Sequence, residues 1–129
     1  MKVLVTGGAG FIGSHIVDLL VQSDMQVYAL DNLSTGSIRN VNPGASFLKK
    51  DIRDKDLKEL FAKEKFEYVV HQAAQTTVSQ SLSNPYYDCD VNVLGLVNLL
   101  EASRLSGVKR IAFAIKGSWL FLTILCNRQ

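Results

Sequence analysis

Cysteine is scarce in this 129-residue chain, with only Cys89 and Cys126. Two thiols make neither a disulfide framework nor a zinc site, so they read as free thiols of a reducing compartment. Charge of one sign is also in short supply. The 14 Lys+Arg are nearly cancelled by 12 Asp+Glu, leaving a formal net charge of +2. The lysines of residues 49–65 are interleaved with Asp and Glu. A dedicated nucleic-acid surface is therefore not expected. No long apolar run is uninterrupted. The longest, residues 111–126, is broken by Lys116, Gly117 and Ser118 and falls short of the ~20 apolar residues that span a bilayer. The N-terminus lacks the apolar stretch and small-residue cleavage site of a signal peptide. The expectation is a soluble, cytoplasmic protein. What is present is core material: 47% hydrophobic against 20% charged residues, which excludes disorder and collagen-like or low-complexity classes. The length suits one domain or part of a larger one.

Short apolar runs alternate with helix-like stretches. Strands are expected at Lys2–Thr6, Gln26–Asp31 and residues 46–50, 68–72 and 110–114. Helical spacing covers residues 11–21 and 54–65, where Leu57, Leu60 and Phe61 share one side, and then residues 86–106, stopped by Gly107. Strands alternating with helices imply right-handed crossovers and a parallel sheet covered on both faces. The expected class is a doubly wound α/β fold.

Between the first strand and first helix stands Thr6-Gly7-Gly8-Ala9-Gly10-Phe11-Ile12-Gly13. Glycines at such spacing serve ordinary turns, but this context also suits a dinucleotide: a strand before, a helix after, and an acid at the end of strand two. Gly7 would permit the tight turn and Gly10 would let backbone N–H groups approach a pyrophosphate. Gly13 would allow the helix to pack closely on the sheet. The helix N-terminus supplies unpaired donors and partial positive charge for phosphates. Asp31 ends strand two, where a carboxylate accepts from an adenosine ribose 2′-OH and repels a 2′-phosphate, favouring NAD over NADP. Asn32 follows where an arginine would serve that phosphate, although Arg39 is near in sequence. The alternative for Asp31 is that it caps a turn.

The glycine run, Asp31-Asn32-Leu33-Ser34-Thr35-Gly36, Asp51-Ile52-Arg53-Asp54, His71-Gln72-Ala73-Ala74-Gln75 and Asn92-Val93-Leu94-Gly95 together resemble the extended short-chain dehydrogenase/reductases. Within them, the resemblance is to the nucleotide-sugar epimerases and dehydratases, and it runs from residue 1 to about residue 114. It implies a Rossmann fold truncated here after about five strands. It also implies NAD as cofactor and a nucleotide-sugar substrate in a complete member. By the same resemblance Gly7, Gly10, Phe11 and Ile12 line the pyrophosphate, while Asp31 and Asn32 hold the adenosine ribose. Ser34, Thr35 and Gly36 lie beside it, Asp51 and Ile52 flank the adenine, and Ala73, Ala74 and Gln75 run close to the dinucleotide. Asn92 would bond near the nicotinamide-side ribose. His71 would serve in packing or support, because the family's base is a tyrosine; His15 would be packing or solvent-facing. Leu94, Leu96, Val97, Leu99 and Leu100 make the long helix apolar nearly all round, as core or as a homodimer surface.

The family's catalysis uses a Ser or Thr after the fifth strand and a Tyr-x-x-x-Lys helix, where a tyrosinate takes the sugar hydroxyl proton. None of Tyr28, Tyr68, Tyr86 or Tyr87 has a lysine four positions on, so no catalytic residue and no metal ligand is assigned. Residues 1–114 are expected to form a partial NAD-binding domain and residues 115–129 a divergent apolar tail. Three functional readings remain: an NAD-binding part of an epimerase without turnover alone, a dinucleotide sensor or interaction module, and a truncated, non-functional product.

Overall fold

A computed structural model describes residues 1–113. The expected tail at 115–129, and the last residue of the expected fifth strand, Ala114, lie outside them. Five strands, β1 (Lys2–Thr6), β2 (Gln26–Asp31), β3 (Ser46–Lys49), β4 (Tyr68–His71) and β5 (Arg110–Phe113), form one sheet in the order β3-β2-β1-β4-β5. Every pairing is parallel, with Val3 opposite Val27 and Tyr68, and Val69 opposite Ile111. The chain therefore winds outward from β1 in both directions. A switch point lies between β1 and β4, and ligands of open α/β sheets bind at the carboxyl ends there.

Alternation along the strands divides the core in two, because successive side chains point to opposite faces. Leu4, Leu30, Val69 and Ile111 face one way and bury Leu57, Phe61, Phe66, Leu99 and Ala102. Val5, Val27 and Ala29 face the other and pack on Val17, with Ile16, Leu20 and Val21 beside it. The first layer comprises α2 (Leu57–Glu64) and the C-terminal part of a long helix; the second is α1 (Phe11–Gln22). Phe66 meets Tyr28 and Phe61 edge-on, at centroid distances of 5.2 and 5.1 Å, a favoured aromatic geometry.

The expected helix over residues 54–65 begins three residues late, at Leu57. The backbone from Asp51 to Asp56 is taken by a turn in which Asp54 N bonds Asp51 O (3.0 Å) and Asp51 N bonds the Asp54 carboxylate (3.0 Å). A short helix, α3 (Val78–Ser83), follows β4 where sequence periodicity is too brief to announce one. The expected single helix over residues 86–106 is three pieces end to end. They are α4 (Pro85–Cys89), a π-helical turn (Asp90–Gly95) and α5 (Leu96–Ser106). Asn84 caps its start, accepting from Tyr87 N at 3.1 Å, and Pro85 occupies the first turn, where its missing N–H costs nothing. Gly107, at φ +74°, ends it in the left-handed conformation that glycine adopts without penalty.

Candidate functional site

The turn after β1 is built from backbone. Gly7 has φ +69° and its N–H donates to Leu30 O at 2.8 Å, with Gly8 N sharing that acceptor at 3.3 Å. A Cβ on Gly7 would lie 2.7 Å from Ala73 N; one on Gly8, 2.8 Å from Ala29 Cβ; one on Gly13, 2.0 Å from Gly7 O. These three glycines are demanded by the protein's own packing. Gly13, expected to seat the helix on the sheet, instead seats it on the turn. Gly10 is different. Its φ of −78° and ψ of 174° suit any residue, and a Cβ there would meet only Gly7 O, at 3.3 Å. A side chain there would need only that one oxygen to give by a few tenths of an ångström.

Directly behind it starts α1, with no side-chain cap and no acid in its first turn. The N–H groups at the head of a helix have no intrahelical partner, and with the macrodipole they make a seat for an anion. Phe11 and Ile12 stand beside it, 80% and 61% exposed. His15 is exposed and lies on Phe11, donating from Nδ1 to the Phe11 carbonyl at 2.7 Å. It is absent from the phosphate seat.

Asp31, at the adjacent strand end, is buried. One oxygen accepts from Ala9 N (3.0 Å) and the other from Leu33 N (2.8 Å). The turn-capping alternative is therefore realised, and the same carboxylate braces the glycine turn. Each oxygen retains a lone pair for a hydroxyl donor. Gly36 packs against Ala9, since a Cβ there would come within 2.9 Å of Ala9 C, while Ser37 N and Asn40 Nδ2 both donate to Ala9 O. Ser34 and Thr35 are exposed on this loop.

Two residues assigned to the adenine have other employment. The Ile52 side chain is buried in the core and presses on the long helix, where a Cβ on Gly95 would lie 2.7 Å from Ile52 Cδ1. Only its backbone is left to meet a ligand. Asp51 accepts from Arg53 N and Nε on one oxygen, and from Arg53 Nη2 and Asn32 Nδ2 on the other. The Arg53 guanidinium holds that carboxyl far below the usual carboxylate range. Four donors occupy the ~4 lone-pair sites of a carboxylate, so bonding an adenine amine would require one donor to yield.

At the end of β4, Thr6 joins the two neighbouring strands. Its Oγ1 accepts from Ala73 N (3.3 Å) and is hydrogen-bonded to His71 Nδ1 (2.7 Å). Burial pushes His71 down to about 4, so the imidazole is neutral and supports β1 rather than exchanging protons. Ala74 is exposed and Gln75 partly so. Asn92, in the π-helical turn, holds the Gln75 backbone from both sides, through Oδ1 to Gln75 N (2.8 Å) and Nδ2 to Gln75 O (2.9 Å). Its other N–H goes to Asp88. Asn92 thus sets the loop instead of presenting a free amide to a ribose. Sequence reasoning passed over Gly8, Thr6, Arg53 and Asn98. Asn98 Nδ2 donates to the Ile52 and Asp54 carbonyls at 2.8 and 3.0 Å; only the repeated Asp of the motif hinted at that turn.

The donor set fits a dinucleotide: an open glycine position before an uncapped helix, and a buried acid at the neighbouring strand end. Comparison with known proteins decides the family. The NAD dependent epimerase/dehydratase family matches residues 3–116. The chain belongs to that family. NAD is the cofactor of this epimerase/dehydratase family. A Methanocaldococcus jannaschii protein is 52% identical over 119 residues, covering 92% of this chain and 39% of that protein. The UDP-glucose 4-epimerase of Mycolicibacterium smegmatis is 42% identical, with 95% of this chain and 41% of the relative covered. Among solved structures, the UDP-glucose 4-epimerase of Thermus thermophilus in complex with NAD superposes with a TM-score of 0.84 at 41% identity. It matches 98% of this chain and 46% of its own. That of Thermotoga maritima with UDP-glucose gives 0.86 at 44%, over 88% and 37%. The chain spans about two fifths of the length of these relatives.

Proposed function

We propose that residues 1–114 are the NAD-binding part of a UDP-sugar 4-epimerase and perform no turnover by themselves. The carrying observation is Gly10: a Cβ there would press on one atom alone, Gly7 O at 3.3 Å, where those of Gly7, Gly8 and Gly13 would meet neighbours at 2.0–2.8 Å, and its open side fronts the uncapped start of α1. In this reading the N–H groups of Phe11 and Ile12 take the pyrophosphate. Asp31 takes the adenosine ribose, flanked by Asn32, Ser34, Thr35 and Gly36. Asp51 and the Ile52 backbone bound the adenine, and Ala73, Ala74 and Gln75 form the opposite wall, set by Asn92. NAD, when bound, supplies hydride acceptance and return at a sugar carbon. The residues described here orient it and shield it. The sequence holds no Tyr-x-x-x-Lys to move the sugar proton, which is why turnover is not assigned to it.

The nucleotide-sugar substrate belongs to the whole protein of this type. A second copy of the chain is the proposed partner, since Tyr86, Val93, Leu94 and Val97 are all more than half exposed along the long helix. No helix among the described residues is long and apolar enough to cross a membrane; the cytoplasm is the proposed location. Calorimetric titration tests the reading. NAD should bind, and NADP should bind at least about tenfold more weakly because Asp31 faces its extra phosphate. Absence of NAD binding by the folded chain, or equal affinity for the two, overturns it.

A further inference from the structure

In the turn after β3, every arm of the Arg53 guanidinium is engaged. Arg53 donates from N and Nε to one oxygen of Asp51, both at 2.9 Å, and from Nη2 to the other at 2.8 Å. Its remaining arm, Nη1, reaches Asp90 in the π-helical turn at 2.7 Å, and the guanidinium stands 5.4 Å from the centre of the Tyr87 ring. The contacts continue beyond it. Asp51 accepts from Asn32 Nδ2 at 2.8 Å, and Asn32 Oδ1 accepts from Ser34 N at 2.9 Å. A polar relay thus runs from the long helix through Arg53, Asp51 and Asn32 to the backbone of the loop after β2.

That loop needs holding. Leu33 has φ +61°, a conformation that a branched side chain occupies only when its surroundings impose it. Asp31 holds Leu33 N from one side, and the relay holds Ser34 N from the other. The Arg53 ion pairs are only partly exposed, and the fork does what a single point contact cannot: it joins acceptors on two separate elements. The Ile52–Gly95 contact and the two Asn98 bonds fasten the same turn to the same helix.

We infer that Arg53 is a positioning residue for the adenosine half of the site, fixing the loop of Asn32 and Ser34 from the long helix by way of Asp51. This rests on the dinucleotide reading above. Arg53→Lys keeps the charge and the aliphatic stem but loses the fork. In the full chain it should weaken both NAD and ADP-ribose about tenfold by calorimetry. Amide hydrogen exchange should quicken at Leu33 and Ser34 while Val5 and Leu30 stay protected, a local effect that general destabilisation would not produce. Asn32→Ala, which cuts the relay on the exposed surface, should quicken the same amides. Added to Arg53→Lys, it should quicken exchange at those amides no further, because the two act in series on the same loop. Binding by Arg53→Lys within about twofold of the parent, unchanged Leu33 and Ser34 exchange, or additive quickening in the double variant would overturn the inference. If the parent itself takes no NAD, the functional reading falls and the dinucleotide role of Arg53 with it. The exchange comparison still decides whether the relay positions the loop.

Discussion

At the scale of single residues, the glycines of one loop divide by physical cause. Gly13 faces a backbone oxygen at 2.0 Å from any added Cβ, whereas Gly10 faces one at 3.3 Å in a conformation open to all residues. Gly13→Ala should therefore destabilise the fold by about 3 kcal/mol or more, since no backbone atom there can retreat. Gly10→Val, at the start of α1 and with its Cβ pressing on Gly7 O, should lower the midpoint of urea unfolding far less than Gly13→Ala does, leave the chain folded, and abolish NAD binding. Retention of binding by a folded Gly10→Val would make the loop a turn and nothing more. His71 supplies the pH dependence. Folded, it resists protonation down to about 4, while the unfolded imidazole titrates near 6.5. The unfolded chain thus binds more protons between those values. Stability is complete above pH 6.5 and falls as the pH drops towards 4, by about 3 kcal/mol in all. Urea unfolding of His71→Gln should lose that part of the acid slope.

Among the elements, the long helix matters more than its sequence suggests. Its π-helical turn brings Asn92 to the Gln75 backbone, Asp90 to Arg53 and Gly95 to Ile52. Both loops beside the proposed dinucleotide are thereby referred to one rigid body, and π turns often mark such places. One turn further, Asn98 satisfies the Ile52 and Asp54 carbonyls. Asn98→Ala strands both partly buried acceptors and should lower stability by about 1–3 kcal/mol in urea unfolding. An unchanged midpoint would mean that water replaces the amide. The helical period over residues 86–106 was legible from apolar spacing. The π turn was not, because it arises where Ile52 and Arg53 press from a segment some 40 residues away, and local pattern carries no trace of that.

For the whole molecule, the exposed side of the same helix sets behaviour in solution. Val93, Leu94 and Val97 are 52–58% exposed and Tyr86 is 88% exposed, an apolar stripe of the kind that marks interaction surfaces. The chain should self-associate at tens of micromolar, and Val97→Lys should shift it towards monomer in sedimentation velocity without altering its NAD affinity. A parent that sediments as one concentration-independent monomer would remove the second copy from the proposed assembly.

The alternation of β-branched runs with 3.6-period stretches dictated five parallel strands, and all five strand starts and the glycine turn follow from residues that are neighbours in the chain. The Asp31 turn cap is equally local, since it closes on Leu33 two residues later. What tertiary structure decided are partners distant in sequence. Ile52 turned inward because the core had room for it beside Leu57, Phe61 and Leu99. Asp51, already gripped by Arg53 two residues on, gave its last lone pair to Asn32, 19 residues back, and Asn92 was spent on Gln75. Motifs name which residues gather at the carboxyl ends of the strands. They do not say which lone pairs are already taken, since hydrogen bonds are allotted only once the loops have met in space.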